Sequence, residues 1–162
     1  MASVRDVVAY LCTHYPHKSE LSKARLTKMV YLADWRCALV AGHQITPIAW
    51  EFNHYGPYVD DVINAARSDS SFQVVRSTNA YGSLKETVTV KRAVAYPSLT
   101  DGDMAVLDFV VAGTAPKSWD SFIRLVYSTY PVVTQERYTT LDLVDLAKKY
   151  KDEQAKGLFD GQ

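Results

Sequence analysis

Val4, Val7, Val8, Leu11 and Cys12 recur at the i, i+3, i+4, i+7, i+8 spacing of one helical face. Ser3, with Asp6 three residues on, marks the start of that helix as a capping-box variant, and Tyr15-Pro16 marks its end. A second helix is predicted from Ser19 or Ser22 to Ala41, stopped by Gly42. Leu26, Met29, Val30, Ala33, Cys37 and Val40 form one apolar face of it, and Leu32, Trp35 and Leu39 lie elsewhere on its surface. Apolar residues on more than one side mark a central helix packed against several neighbours. Lys23, Thr27, Tyr31 and Asp34 fall on one narrow stripe, which reads as the hydrophilic line of this crowded helix.

After Gly42 the period shortens. In "AWEFNHYGPYV", residues 49–59, alternation sends Trp50, Phe52 and His54 to one side and Glu51, Asn53 and Tyr55 to the other. Gly56-Pro57 is expected to open a third helix with Pro57 at its first position, where the missing N–H needs no partner. Val59, Val62, Ile63 and Ala66 would face inward, with Asp60 and Asp61 in a first turn that favours acids. The β-branched runs at Val74-Val75 and Thr87–Val90, around a polar turn near Asn79–Ser83, predict a hairpin over about 72–92. Thr100 with Asp103 caps a fourth helix that ends at Gly113. Ser118 caps a fifth that ends before Pro131, and Thr139 or Thr140 caps a sixth through Leu143, Leu146, Ala147 and Tyr150. These elements predict a mainly α (α+β) fold: a single compact domain over residues 1–150, with about six helices and one small β-hairpin. Residues 151–162, polar except for Leu158-Phe159, are expected to form a flexible C-terminal tail.

Composition narrows what such a domain can do. Basic and acidic residues, 18 of each, cancel to zero net charge, which argues against nucleic acid as the main partner. The counter-reading is local: Lys18, Lys23, Arg25 and Lys28 cluster early, and Lys85, Lys91 and Arg92 flank Tyr81 on the hairpin. An RNA-binding or regulatory face is therefore the alternative to a solvated surface. No apolar run is long enough for a membrane span, and "MASVRDVVAYL" has no leader pattern, so a cytoplasmic protein is expected. Cys12 and Cys37, inside helical patterns and without metal spacing, read as buried reduced thiols. His14, His17, His43 and His54 lack the spacing of a metal site, and no cofactor motif occurs. No catalytic constellation is recognisable, so an enzyme is not expected; a hydrolase using Asp34 and His54 is the weaker rival. Asp34 is the acid expected to be partly buried, as a structural partner of Lys23, Arg25, Lys28 or the start of the next segment. Eleven tyrosines and three tryptophans favour protein interfaces, and the Trp50–Tyr58 stretch has hot-spot composition as well as the makings of a core seal.

Three segments carry a family likeness: "LTKMVYLADWRCALVAGHQIT", "AWEFNHYGPYVDDVINAA" and the later "LVYSTYP". Leu26, Lys28, Tyr31, Leu32, Ala33, Asp34, then Gly42, Ile45 and Thr46, then Trp50, Tyr55, Gly56, Pro57 and Val62 resemble the Panacea, or SocA-like, domain. The likeness is densest over residues 20–66. It implies a bacterial or phage antitoxin that neutralises a cognate protein toxin by direct binding and, in the SocA-like branch, delivers it to a protease complex. Many relatives also carry a second or DNA-binding domain, for which this chain has no room. On this reading Tyr55, Tyr58 and the Lys23/Thr27/Tyr31/Asp34 stripe lie on or beside the partner-binding face. Trp50, Phe52, Gly56 and Pro57 belong to the structural signature.

Overall fold

Ser22 accepts a hydrogen bond from the Arg25 amide, and Gly42 closes the other end in the left-handed region at φ +79. Between them runs the helix that organises the protein, α2 (Lys23–Ala41). The computed structural model describes residues 1–157. Around α2 pack α1 (Val4–His14), α3 (Asp61–Arg67), α4 (Asp101–Thr114) and α7 (Leu143–Ala155), together with one strand of the hairpin. Shorter helices α5 (Trp119–Ser128) and α6 (Tyr130–Thr134) complete the seven among the described residues.

Two small sheets accompany the helices. The hairpin pairs β3 (Phe72–Thr78) with β4 (Leu84–Val90) in the register Val74 to Val88. It turns through Asn79, whose side chain accepts from the Tyr81 and Ser83 amides. A three-stranded sheet runs β2 (Gly56–Pro57), β1 (Trp50–Asn53), β5 (Thr140–Leu141), all antiparallel. The core is continuous from α1 through α2 to α7. Trp35 on α2 meets Tyr130 on α6 and Tyr150 on α7, with ring centroids 5.3–6.4 Å apart within this trio.

Local capping behaves as the sequence predicts at four starts: Ser3, Ser22, Ser118, and the complete capping box of Thr100 with Asp103. Asp6 departs in one respect. Its carboxylate accepts from the Ser98 amide and hydroxyl instead of closing back on Ser3, so the box residue anchors the loop that leads into α4. Cys12 and Cys37 are both buried and free.

Four expectations change. Gly56-Pro57 does not open a helix: it forms β2, Phe52 opposite Pro57 and Asn53 opposite Gly56, and α3 begins only at Asp61 after Asp60. The last helix is capped by Asp142, not Thr139 or Thr140, because Thr140 is spent pairing with Glu51 across the sheet. Thr27, Tyr31 and Asp34, expected on a hydrophilic stripe, are each 0% exposed. The helical period shows which side they share but not that the Gly42–Trp50 connection and α5–α6 cover that side. α7 also continues to Ala155, into the span expected as tail; residues 158–162 of that span lie outside the described residues.

Candidate functional site

Asp34 is a fully buried carboxylate with five donors around it. One oxygen accepts from the Ile45 and Thr46 amides at 2.9 and 3.0 Å. The other accepts from Thr46 Oγ1 at 2.6 Å, Trp50 Nε1 at 2.9 Å and, more weakly, Gln44 Nε2 at 3.4 Å. Burial pushes the carboxyl up to about 6, against the pull of these bonds. A buried carboxylate persists when its lone pairs are filled, and every group here donates. The expected partner among Lys23, Arg25 and Lys28 is absent from this set; the start of the following segment supplies it all. The Asp…Ile-Thr…Trp spacing in the sequence is thus the footprint of one hydrogen-bonded node, which ties the extended connection to α2.

Nearly two turns earlier, Lys28 is 2% exposed and reaches the Pro57 carbonyl at 3.5 Å, with its ammonium 5.8 Å from the Tyr58 ring centroid. Burial pulls it down to about 8. Tyr31 closes the same region. Its hydroxyl shares a 2.8 Å hydrogen bond with Thr129 Oγ1, and its ring stands edge-on to Trp50 at 5.6 Å. Gly56 is held at φ +95 against α5, where a Cβ would lie 2.7 Å from Tyr127 Cε1. Only glycine meets both demands, the left-handed backbone and the close approach.

With β1 fixed beneath it, the turn between β1 and β2 stands out from the body. Tyr55 is 74% exposed, and its ring packs edge-on against His54 at 4.6 Å. His54 Nδ1 pairs with the hydroxyl of Tyr138 at 3.0 Å, and Tyr138 is itself 71% exposed. Arg137 Nε donates to the His54 carbonyl, and its guanidinium lies over the Phe52 ring at 5.7 Å. Tyr138 has φ +67, the one positive φ among the described non-glycine residues. Its amide bonds to the Phe52 carbonyl. A tyrosine held in that region stores about 1–3 kcal/mol of strain, of the kind that gathers at functional positions. The result is an exposed tip of His54, Tyr55, Arg137 and Tyr138 on a rigid base.

The residues predicted as partner-binding therefore separate. Tyr55 is displayed. Tyr58 is half-buried, its hydroxyl pushed up by burial and by Asp60. Lys23 is partly exposed and bridges to Glu86 at 3.3 Å. Thr27 bonds back to the Lys23 carbonyl inside the protein, Tyr31 is held at Thr129, and Asp34 accepts from Trp50. Trp50 and Phe52 are buried. Sequence reading missed Arg137 and Tyr138, because their place beside His54 comes from pairing across 84 positions.

The other candidate chemistries find their residues apart or engaged. Asp34 and His54 share no hydrogen-bond partner, one interior and one at the surface. On the hairpin, Lys23, Arg67 and Arg76 all converge on Glu86, and Lys85 turns to the Ser19 carbonyl. Those contacts weaken the positive field that phosphate binding needs. Among the described residues no three His, Cys, Asp or Glu side chains group as a metal site, and no helix is long and apolar enough to cross a membrane.

A family model described as antitoxin SocA-like, Panacea domain, matches residues 26–131. No curated protein and no solved structure matches the chain. The matched span covers well over half of the chain, and it contains the Asp34 node, Lys28, the Gly-Pro turn and Tyr55. The chain belongs to the SocA-like Panacea antitoxin family.

Proposed function

We propose that this Panacea-domain chain is the antitoxin of a toxin–antitoxin pair, acting in the cytoplasm and neutralising a cognate protein toxin by direct binding through its aromatic tip. One observation carries this reading. Most of the residues that carry the family likeness turn inward around the Asp34 and Lys28 nodes, while Tyr55, one of them, is carried outward with Tyr138 on the turn they support. Neutralisation by occupancy needs affinity rather than turnover, and rigid exposed tyrosines bring large contact area at small entropic cost. Tyr58, lying on Lys28 at the base, positions the turn, and Tyr55 and Tyr138 make the contact.

Co-expression with the toxin encoded beside it, scored by growth rescue and by pulldown, tests the reading. Rescue with a stable complex is expected. Rescue without a complex, or no rescue, overturns it. Delivery of the bound toxin to a protease would use the same docking, and it predicts a shorter toxin half-life in the presence of the antitoxin.

A further inference from the structure

A concavity of about 400 Å³ lies between α2, α4 and α5, and it shares no residue with the tip. Leu32, Trp35, Leu39, Phe109, Val110 and Leu125 are the apolar side chains that line it. Phe109 is 57% exposed, with the Arg36 guanidinium stacked over its ring at 4.1 Å. Two cations, Arg36 and Lys117, stand among the lining residues, which include no carboxylate. Neither makes an ion pair among the described residues.

Gly113 lines the same groove, inside the last turn of α4. Its φ is not positive, and a Cβ built there would meet nothing within 4 Å. Neither backbone conformation nor packing within the chain calls for a glycine, and alanine would favour the helix. What the missing side chain does is keep the wall of the groove low.

We propose that this groove docks an amphipathic helical segment of a partner protein, with apolar anchors set between Leu32, Trp35 and Phe109 and flanking carboxylates meeting Arg36 and Lys117. A helix fits better than a strand. The groove is walled by three helices whose backbone groups bond internally, so an incoming strand would find no edge to pair with, whereas a helix brings its own hydrogen bonds. The acidic flank follows from charge: two cations without an ion pair among the described residues, beside apolar surface, reward carboxylates and repel basic segments. The groove reading rests on other residues than the toxin reading and does not depend on it.

The test is panning of a displayed library of randomised amphipathic helices against the full chain, followed by binding measurements on the enriched peptides. Enrichment of apolar anchors at i, i+3 or i+4, and i+7 with Asp or Glu flanks is expected. Gly113→Trp, which fills the groove, should weaken those peptides ~10-fold or more, while Gly113→Ala keeps the fold, raises Tm and binds more closely to wild type. Arg36→Glu with Lys117→Glu should shift the preference toward basic flanks. Circular dichroism on each variant separates lost binding from lost folding. Enrichment of basic flanks, no enrichment at all, or peptides that bind folded Gly113→Trp as well as wild type overturns the proposal.

Discussion

Replacing Gly56 by alanine puts the tight turn under the most direct strain. At φ +95 an L side chain is disfavoured by about 1–2 kcal/mol. The new Cβ would lie 2.7 Å from Tyr127 Cε1, and overpacking a filled site adds about 1–3 kcal/mol. The lower entropy of the unfolded alanine chain returns about 0.4–1 kcal/mol. The net loss is about 1–5 kcal/mol, which lowers Tm by roughly 2–20 °C in a chain of this size. Gly42→Ala is the matched control: φ is +79 and nothing lies within 4 Å, so only backbone strain of about 1 kcal/mol applies. Urea denaturation of both variants, read as midpoint and slope, gives the comparison. Trimming the ring with Tyr127→Leu in the Gly56→Ala background should recover about 1–2 kcal/mol relative to the separate substitutions. If Gly56→Ala is no worse than Gly42→Ala, or if Tyr127→Leu recovers nothing, the close approach to α5 is not what selects glycine here.

Three further substitutions probe the node, the buried cation and the tip. Asp34→Ala strands Trp50 Nε1 and the Ile45 and Thr46 amides, each at about 1–3 kcal/mol, while relief of the buried charge returns part of that. A net loss of about 2–4 kcal/mol in the urea midpoint is expected, and an unchanged midpoint would remove the node from the account. Lys28, held down to about 8 from the ordinary 10.5, favours its neutral form in the fold. The stability it contributes is therefore present above pH 10.5 and lost as pH falls through 8. Relative to Lys28→Met, the wild type should gain about 2–3 kcal/mol between pH 7 and pH 10, and parallel pH profiles for the two would contradict this. Tyr55→Ala should weaken toxin binding by about 1–3 kcal/mol and change stability by less than about 0.5 kcal/mol, as read by calorimetric titration beside thermal melts; full affinity would move the contact elsewhere.

Much of the architecture is local chemistry and can be read residue by residue. Ser3, Ser22, Ser118 and the Thr100–Asp103 box start helices because their side chains satisfy amides only three positions away. Gly42 ends α2 because the left-handed turn there suits a residue without a Cβ. The hairpin is legible for the same reason, since alternation and a turn of Asn and Gly act over a few residues. For the site, alternation set Trp50 and Phe52 on the side opposite Tyr55, and they are buried where Tyr55 is exposed; His54, grouped with the first two, is instead exposed, because β1 ends at Asn53 and the period ends with it.

Contacts between distant segments decided the remainder. Thr27, Tyr31 and Asp34 share one side of α2 in the sequence, but periodicity is silent about what covers that side. Thr129, across 98 positions, and the Ile45–Trp50 connection bury it. Gly56-Pro57 carries a local preference for opening a helix, and sheet pairing with Phe52 and Asn53, along with the Tyr127 ring, overrides it. Tyr138 joins the tip through a left-handed backbone that β5 and the Phe52 carbonyl hold in place. By itself, then, the sequence determined the starts of four helices, the end of α2 and the apolar positions that repeat along them, since short-range hydrogen bonds and side-chain periodicity act along the chain. Which polar residues are enclosed, and which tyrosines stand together at the surface, was decided by tertiary structure, because burial belongs to the partner segment as much as to the residue.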